Sequence, residues 1–189
     1  METMDASPDN NCSGGGGGLP APTCGEGSCG CCVSCSLKNG LCFGTAADFA
    51  LGIGQCVAAP AAGTFQVTIG ASTFVADRVA AIVNGAYLQV SARMTGQSLV
   101  LSLPATLGDG SCTSGAYVGS FAYYGDGASE FHNRPTSPRP GCTVNVGKIG
   151  NVGERIEGSF SVTVLESSTT PTTLDLTNGT FSVERVPFP

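Results

Sequence analysis

Most of the chain beyond residue 63 alternates between apolar and polar residues with a period of two. The runs Thr64 to Ile69 and Gly158 to Leu165 are clear examples. Successive side chains of a strand point to opposite faces, so this pattern predicts strands that bury one face. Similar runs are Tyr87 to Met94, Gln97 to Leu103, Ala116 to Tyr124, Cys142 to Ile149 and Thr180 to Val186.

Two Asn-Gly pairs separate some of these runs. Asn84-Gly85 and Asn178-Gly179 supply the positive φ values that tight hairpin turns require. The sequence therefore predicts an all-β fold, an antiparallel β-sandwich or flattened barrel of seven or eight strands. The segment Asp77 to Val83 is the one helix candidate, and its pattern suits a strand as readily.

Cysteine is distributed unevenly along the 189 residues. Eight of the ten cysteines lie between Cys12 and Cys56, where large apolar residues are few. A short segment that cannot bury a sufficient core is usually held by cross-links or metal. We predict a flexible Gly/Pro-rich tether over residues 1–23, a disulfide-rich minidomain over 24–57 and a β-sandwich over 63–189. The minidomain and the sandwich should fold independently, because they are stabilised differently and Val57 to Gly63 joins them without obvious contacts.

The stretch from Cys12 to Cys56 has eight cysteines and the β domain has two, and an even number in each is what complete internal pairing requires. Cys112 and Cys142 are alone in the β domain, so we predict that they form one disulfide. A zinc or iron–sulfur site is the alternative for the Cys32-x-x-Cys35 region. We expect no metal there, and the pairing of the N-terminal cysteines stays open. The predicted disulfide residues are Cys12, Cys24, Cys29, Cys31, Cys32, Cys35, Cys42, Cys56, Cys112 and Cys142.

Disulfides persist in oxidising compartments, so we expect an extracellular or cell-envelope location. The first residues are polar and contain no signal-peptide core, so we expect the signal to be removed or to lie outside this sequence. The formal charge of −6 disfavours nucleic acid and anionic membranes as partners. No apolar run reaches the roughly 18 to 20 residues of a transmembrane segment.

Little in the sequence suggests catalysis. His132 is the only histidine, and we expect it in a solvent-facing loop rather than beside a nucleophile. Asp109, Asp126 and Glu130 fall in Gly-rich stretches, where ordinary turn positions are expected and calcium binding is the alternative. If Tyr124 and the loop to His132 are exposed, they form the best candidate binding patch. We expect no enzyme activity and no cofactor.

Two stretches resemble known families. The run Cys29-Gly-Cys-Cys32, with Cys35, Cys42 and Gly52-Ile-Gly-Gln-Cys56, resembles the amino-terminal module of insulin-like growth factor binding proteins. This resemblance spans residues 24–56 and implies a loop-rich scaffold stapled by disulfides.

Residues 63–187 resemble the uncharacterised β-sandwich domains of bacterial envelope lipoproteins. The resemblance is carried by Gly63-Thr-Phe, Gly115-Ala-Tyr, Gly158-Ser-Phe and Asn178-Gly-Thr-Phe. It implies a fold and an envelope location, with no established activity.

These observations favour a non-enzymatic surface module that acts by binding or assembly. Its partner would be a protein or polysaccharide surface or a second copy of the chain. The alternative is a secreted inhibitor or ligand-binding protein that acts through the cysteine-rich segment. A lipid anchor upstream would suit the Gly-rich tether.

Overall fold

A computed structural model describes residues 40–43, 55–58, 63–112, 121–126, 129–133, 140–166 and 170–187. All the regular elements of these residues are strands, so the predicted all-β antiparallel fold is confirmed. The described part of the chain has no helix long and apolar enough to cross a membrane. The strands are β1 Gly40–Phe43, β2 Gln55–Ala58, β3 Gly63–Ile69, β4 Ser72–Val75, β5 Arg78–Asn84, β6 Tyr87–Met94, β7 Gln97–Pro104, β8 Gly108–Ser111, β9 Phe121–Gly125, β10 Glu130–His132, β11 Cys142–Ile149, β12 Arg155–Glu166 and β13 Thr173–Glu184.

Eleven of these strands form one sheet that curls into a half-barrel, while β1 and β2 pair separately. The main path runs β4-β3-β13-β12-β10-β9-β7-β6-β5, and β11 and β8 branch from β12. The prediction of seven or eight strands was therefore too low. Strands β4, β8 and β10 have only four, four and three residues, too few to show a clear alternation.

The two ends of the sheet path are consecutive in sequence. Strands β4 and β5 are separated only by Ala76 and Asp77. The Ala76 N–H donates to the carbonyl of Phe65 in β3 at 2.9 Å, whereas the Asp77 N–H donates to Arg93 in β6 at 2.9 Å. The chain thus changes its pairing partner within two residues. This exchange is what joins the two ends of the curled sheet.

The former helix candidate, Asp77 to Val83, lies almost wholly in β5. Its hairpin with β6 turns through Gly85, whose φ is +57°, so the turn predicted at Asn84-Gly85 is confirmed. The hairpin predicted at Asn178-Gly179 is wrong, because both residues lie inside the single strand β13. There the pairing register shifts against both β12 and β3, and Asn178 has a φ of +53°. The pair forms a bulge that bends a long strand.

The inner face of the sheet holds one apolar core. Every strand from β3 to β13 except β8 contributes to it, either fully buried or packed against its margin. A group of phenylalanines forms part of this core, with ring centroids 5.6 Å apart for Phe65 and Phe160 and 6.0 Å apart for Phe65 and Phe74. The alternation recognised in the sequence supplies these inward-facing side chains, as in Phe160, Val162 and Val164 of β12.

Strands β5, β6, β7, β9 and β10 are buried on their outer face as well. That outer face consists of Ala80, Ile82, Gln89, Ser91, Val100, Tyr123 and His132, all buried. Strand β1, inside the cysteine-rich region, lies against β6 and β5. Residues of the predicted cysteine-rich minidomain therefore contact the β domain, and independent folding of the two parts stays a prediction. These strands therefore resemble the strands of sheets that are covered on both faces, whose sequences are nearly continuous apolar runs.

Candidate functional site

Strand β12 has two different neighbours along the same edge. Its first part pairs with β11 up to Cys142 opposite Val162, and its last part pairs with β10, where His132 lies opposite Leu165. Between these two pairings, the Thr163 N–H donates to the Gly141 carbonyl at 3.1 Å. The sheet therefore forks at this point. The polar and sulfur-bearing residues gathered here, called the fork, are Cys112, Tyr123, His132, Asn133 and Cys142.

A disulfide between Cys112 and Cys142 closes the fork, as predicted, with the two Cα atoms 5.4 Å apart. It joins the end of β8 to the start of β11. The side-chain amide of Asn133 donates to the Cys112 sulfur at 3.5 Å, and the Cys112 N–H donates to the Cys142 sulfur at 3.1 Å. Both cysteines are buried. Reactive cysteines are partly exposed, so this link has the surroundings of a structural staple.

The predicted solvent-facing position of His132 is wrong. The residue is only 2% exposed, on the outer face of the sheet, in a strand that pairs with β9 on one side and with β12 on the other. The imidazole ring packs edge-on against Tyr123, and its Nε2 lies 3.8 Å from a carboxylate oxygen of Glu130. The fork thus holds a buried imidazole rather than one exposed in a loop.

Tyr124 lies on the opposite face of the sheet from His132. It is 5% exposed and packs in the inner core, with its ring centroid 5.9 Å from that of Phe131. Burial raises the pKa of Tyr124 above its ordinary value, and the negative charge of Asp126 adds to the rise. The condition for the predicted binding patch was exposure of Tyr124 and the loop to His132. That condition does not hold, so the two side chains form no common surface.

The three carboxylates expected at turn positions make separate local interactions, and two of them lie in strands, Asp109 in β8 and Glu130 in β10. Asp109 accepts a hydrogen bond from the Asn145 side-chain amide, Asp126 accepts one from the backbone N–H of Ser129, and Glu130 lies beside His132. Among the described residues, no three metal-ligating side chains are grouped to hold an ion. Cys12, Cys24, Cys29, Cys31, Cys32 and Cys35 lie outside the described residues, whereas Cys42 and Cys56 belong to β1 and β2.

Strand β4 is the feature that the sequence did not reveal. The Ala76 N–H bond to the Phe65 carbonyl fixes which residues of β4 form hydrogen-bonded pairs with β3, and these are Ser72 and Phe74. Because such pairs alternate along antiparallel strands, the backbone N–H and C=O groups of Thr73 and Val75 point away from β3. The Asp77 N–H continues this outward series and donates to β6. The side chain of Val75 is 55% exposed. The sequence did contain one indication of this strand, because Gly70-Ala71 is a two-residue link between Ile69 and the short apolar-polar run of β4.

The other two sheet margins are protected. At β5, the Val186 N–H donates to the Ala81 carbonyl at 2.8 Å and caps that side of the strand. At β8, the strand consists of Gly, Asp, Gly and Ser, and a charge on an edge strand opposes pairing with another chain. Strand β4 carries no charged residue. In the part of the chain that the structure describes, it is the end strand of the eleven-stranded sheet with neither a charged residue nor a capping backbone hydrogen bond on its outer side.

In comparisons with known proteins, no family model, no curated protein and no solved structure matches this chain. Its function has to be inferred from its own geometry.

The geometry of β4 suits one kind of recognition. An extended segment that lies antiparallel to β4 meets the N–H and C=O groups of Thr73 and Val75, as in β-strand addition. These two residues offer at most four main-chain hydrogen bonds, each with a net contribution of about 0.5–1.5 kcal/mol. A single contact is therefore weak. Many such contacts between copies on a surface would add through avidity.

Proposed function

We propose that this protein is a non-enzymatic module of the cell surface or extracellular space that acts by binding or assembly. The observation that carries the proposal is the exposed edge strand β4, with Thr73 and Val75 directed away from β3. Assembly would proceed by strand addition, from a second copy or from an extended segment of another surface protein. The resemblance to sandwich domains of envelope lipoproteins supports the envelope location.

Burial of the single histidine supports a non-catalytic role. A general base must come within hydrogen-bond reach of the proton that it removes. His132 is buried on the outer face of the sheet and packs on Tyr123. A substrate would have to displace the groups that cover this face to reach the imidazole.

The experiment compares two valines of equal exposure. Val75 and Val152 are each 55% exposed, but Val75 lies on the edge strand and Val152 in the turn between β11 and β12. We expect Val75→Lys to reduce concentration-dependent association in sedimentation velocity at least tenfold, because a lysine on an edge opposes strand pairing. The matched control Val152→Lys should leave association unchanged.

A second variant tests the main-chain contact itself. Thr73→Pro removes an N–H that points away from β3, so pairing inside the sheet is retained while one external donor is lost. We expect it to reproduce the effect of Val75→Lys. The proposal fails if wild-type protein shows neither association nor binding to polysaccharide or envelope proteins. It also fails if purified protein turns over a peptide, ester or polysaccharide and His132→Ala abolishes that turnover.

A further inference from the structure

The short hairpin of the cysteine-rich region sets two cysteines directly opposite each other. Strands β1 and β2 are antiparallel, and Cys42 is the register partner of Cys56. Directly opposed residues of antiparallel strands have Cα atoms about 4.5 or 5.5 Å apart, depending on the type of pair. Disulfides accept Cα separations of about 4.4–6.8 Å. Both types of antiparallel pair therefore meet the distance requirement.

One strand of this hairpin, β1, contacts β6 and β5. The outer face of these strands and of β7 carries a row formed by Ala80, Ser91 and Val100, which are register partners in turn. Ala80 and Ser91 are short side chains, and all three residues are buried. Short side chains let a covering backbone approach a sheet closely. A cover at β5 and β6, the two strands that β1 contacts, would account for this burial.

Polar groups on this face are also arranged for burial. The Gln89 side-chain amide donates to the Ser102 hydroxyl at 3.3 Å, from β6 to the neighbouring strand β7. A buried amide needs such a partner, since an unsatisfied one costs about 1–3 kcal/mol. The face therefore meets part of its hydrogen-bonding requirement within the sheet. This is expected of a surface that is covered permanently.

We propose that Cys42 and Cys56 form a disulfide that locks the β1–β2 hairpin as a clip over the outer face of β5 and β6. The clip comprises residues 40–43 and 55–58. In this arrangement the hairpin serves as a cross-linked cover for these two strands. This inference is independent of strand addition at β4, which lies at a different part of the sheet.

Formation of the bond requires an oxidant, for which we name a protein or small-molecule disulfide. The thiolate of one cysteine attacks the oxidant, forms a mixed disulfide and releases one oxidant thiolate. The second cysteine then attacks the mixed disulfide, so that the Cys42–Cys56 bond forms and the other oxidant thiolate leaves. The two cysteines are oxidised, the oxidant is reduced to two thiols, and the two cysteine protons pass to those thiols.

The first test is peptide mapping of the full-length protein, digested without reduction after free thiols are blocked. We expect one peptide pair that joins Cys42 to Cys56 and separates on reduction. Linkage of either residue to a different cysteine, or recovery of either as a blocked free thiol, overturns the pairing. This test uses wild-type protein, so it does not depend on a variant that folds.

The second test asks which thiol each substitution releases. Cys42→Ser should release Cys56 to alkylation in the folded protein, and Cys56→Ser should release Cys42, with no other thiol labelled. Labelling of a different cysteine in either variant contradicts the pairing. The comparison of the two single variants serves as an internal control.

The third test addresses the role of the link as a clip. In the double variant Cys42→Ser/Cys56→Ser, we expect amide exchange in Arg78–Asn84 and Tyr87–Met94 to accelerate at least tenfold. Exchange in Thr173–Glu184, on the other side of the sheet, should stay unchanged and serves as the reference. If each of the three strands exchanges at the same rate with and without the link, the covering role is overturned, even where the mapped pairing is correct.

Discussion

The imidazole of His132 packs edge-on against the phenol ring of Tyr123, with 4.9 Å between the ring centroids. The two residues are cross-strand partners in β10 and β9, and both are buried on the outer face of the sheet. Edge-to-face pairs of this kind contribute about 0.5–1.5 kcal/mol beyond the area they bury. The pair therefore stabilises the fork, and its energy can be measured separately from that of each side chain.

A double-mutant cycle on this pair is the first prediction. We expect Tyr123→Leu and His132→Leu to show a coupling free energy of about 0.5–1.5 kcal/mol in urea unfolding. Leucine preserves most of the apolar volume, so the cycle reports mainly the ring contact. Additivity of the two substitutions within about 0.3 kcal/mol would contradict the contact.

The disulfide of the fork should stabilise the β domain substantially. It links residues 30 positions apart, and the chain-entropy estimate for such a loop is about 3–4 kcal/mol. We expect the double variant Cys112→Ser/Cys142→Ser to lose about that free energy of unfolding in a urea titration. A loss below about 1 kcal/mol would mean that the bond contributes little beyond the packing around it.

Gly158 is a position where the close packing of two strands leaves no room for a side chain. A Cβ atom there would collide with the Asn145 carbonyl oxygen and with the ring of Phe181. Overpacking typically costs about 1–3 kcal/mol, and we expect Gly158→Ala to lower the free energy of unfolding by that amount. Gly141→Ala is the matched control, because nothing lies within 4 Å of its Cβ position. Equal stability of the two variants would contradict the packing.

Tyr124 should make the protein sensitive to alkali. Its pKa is raised by burial first and by Asp126 second, so the folded state retains the phenol proton at pH values where the unfolded state has released it. An unfolded tyrosine titrates near about pH 10. The contribution is complete below that pH, and it is lost as the pH rises from there through the folded pKa.

We therefore expect wild-type stability to fall more steeply between about pH 9 and 11 than that of Tyr124→Phe. Urea midpoints measured across this range provide the comparison, and the tyrosines common to both proteins cancel. Parallel pH profiles would show that Tyr124 does not titrate differently in the two states.

Removal of the cysteine-rich region should destabilise the β domain. A chain that begins at Gly63 lacks β1, which contacts β5 and β6, so we expect buried outer-face residues of these strands such as Ile82 to become exposed. We expect the fragment to bind the dye ANS and to unfold at a lower urea concentration than the full chain. A fragment with the stability of the full protein and no dye binding would show that the cover contributes nothing.

The strands and the fork disulfide were accessible from the sequence. Alternation in runs such as Gly158 to Leu165 is a local property, because a strand projects successive side chains to opposite faces whatever its partners are. Cys112 and Cys142 could be paired because no other cysteine occurs in their part of the chain. In both cases few alternative structures existed. A short stretch of sequence was enough to predict a strand, and a count of cysteines was enough to predict the disulfide.

The tertiary structure alone decided which strands are covered, where the chain bends and which edge is exposed. Asn178-Gly179 can adopt the positive φ that either a hairpin turn or a bulge requires. Pairing of the surrounding strand with β12 and β3 on both sides makes it a bulge. His132 becomes part of a buried sheet face because β10 is held between β9 and β12, and its partner in β12, Leu165, is 33 positions away in sequence. Pairing between distant segments depends on all strands together. No local pattern contains that information, so burial of His132 and exposure of Val75 could not be predicted from their neighbours in sequence.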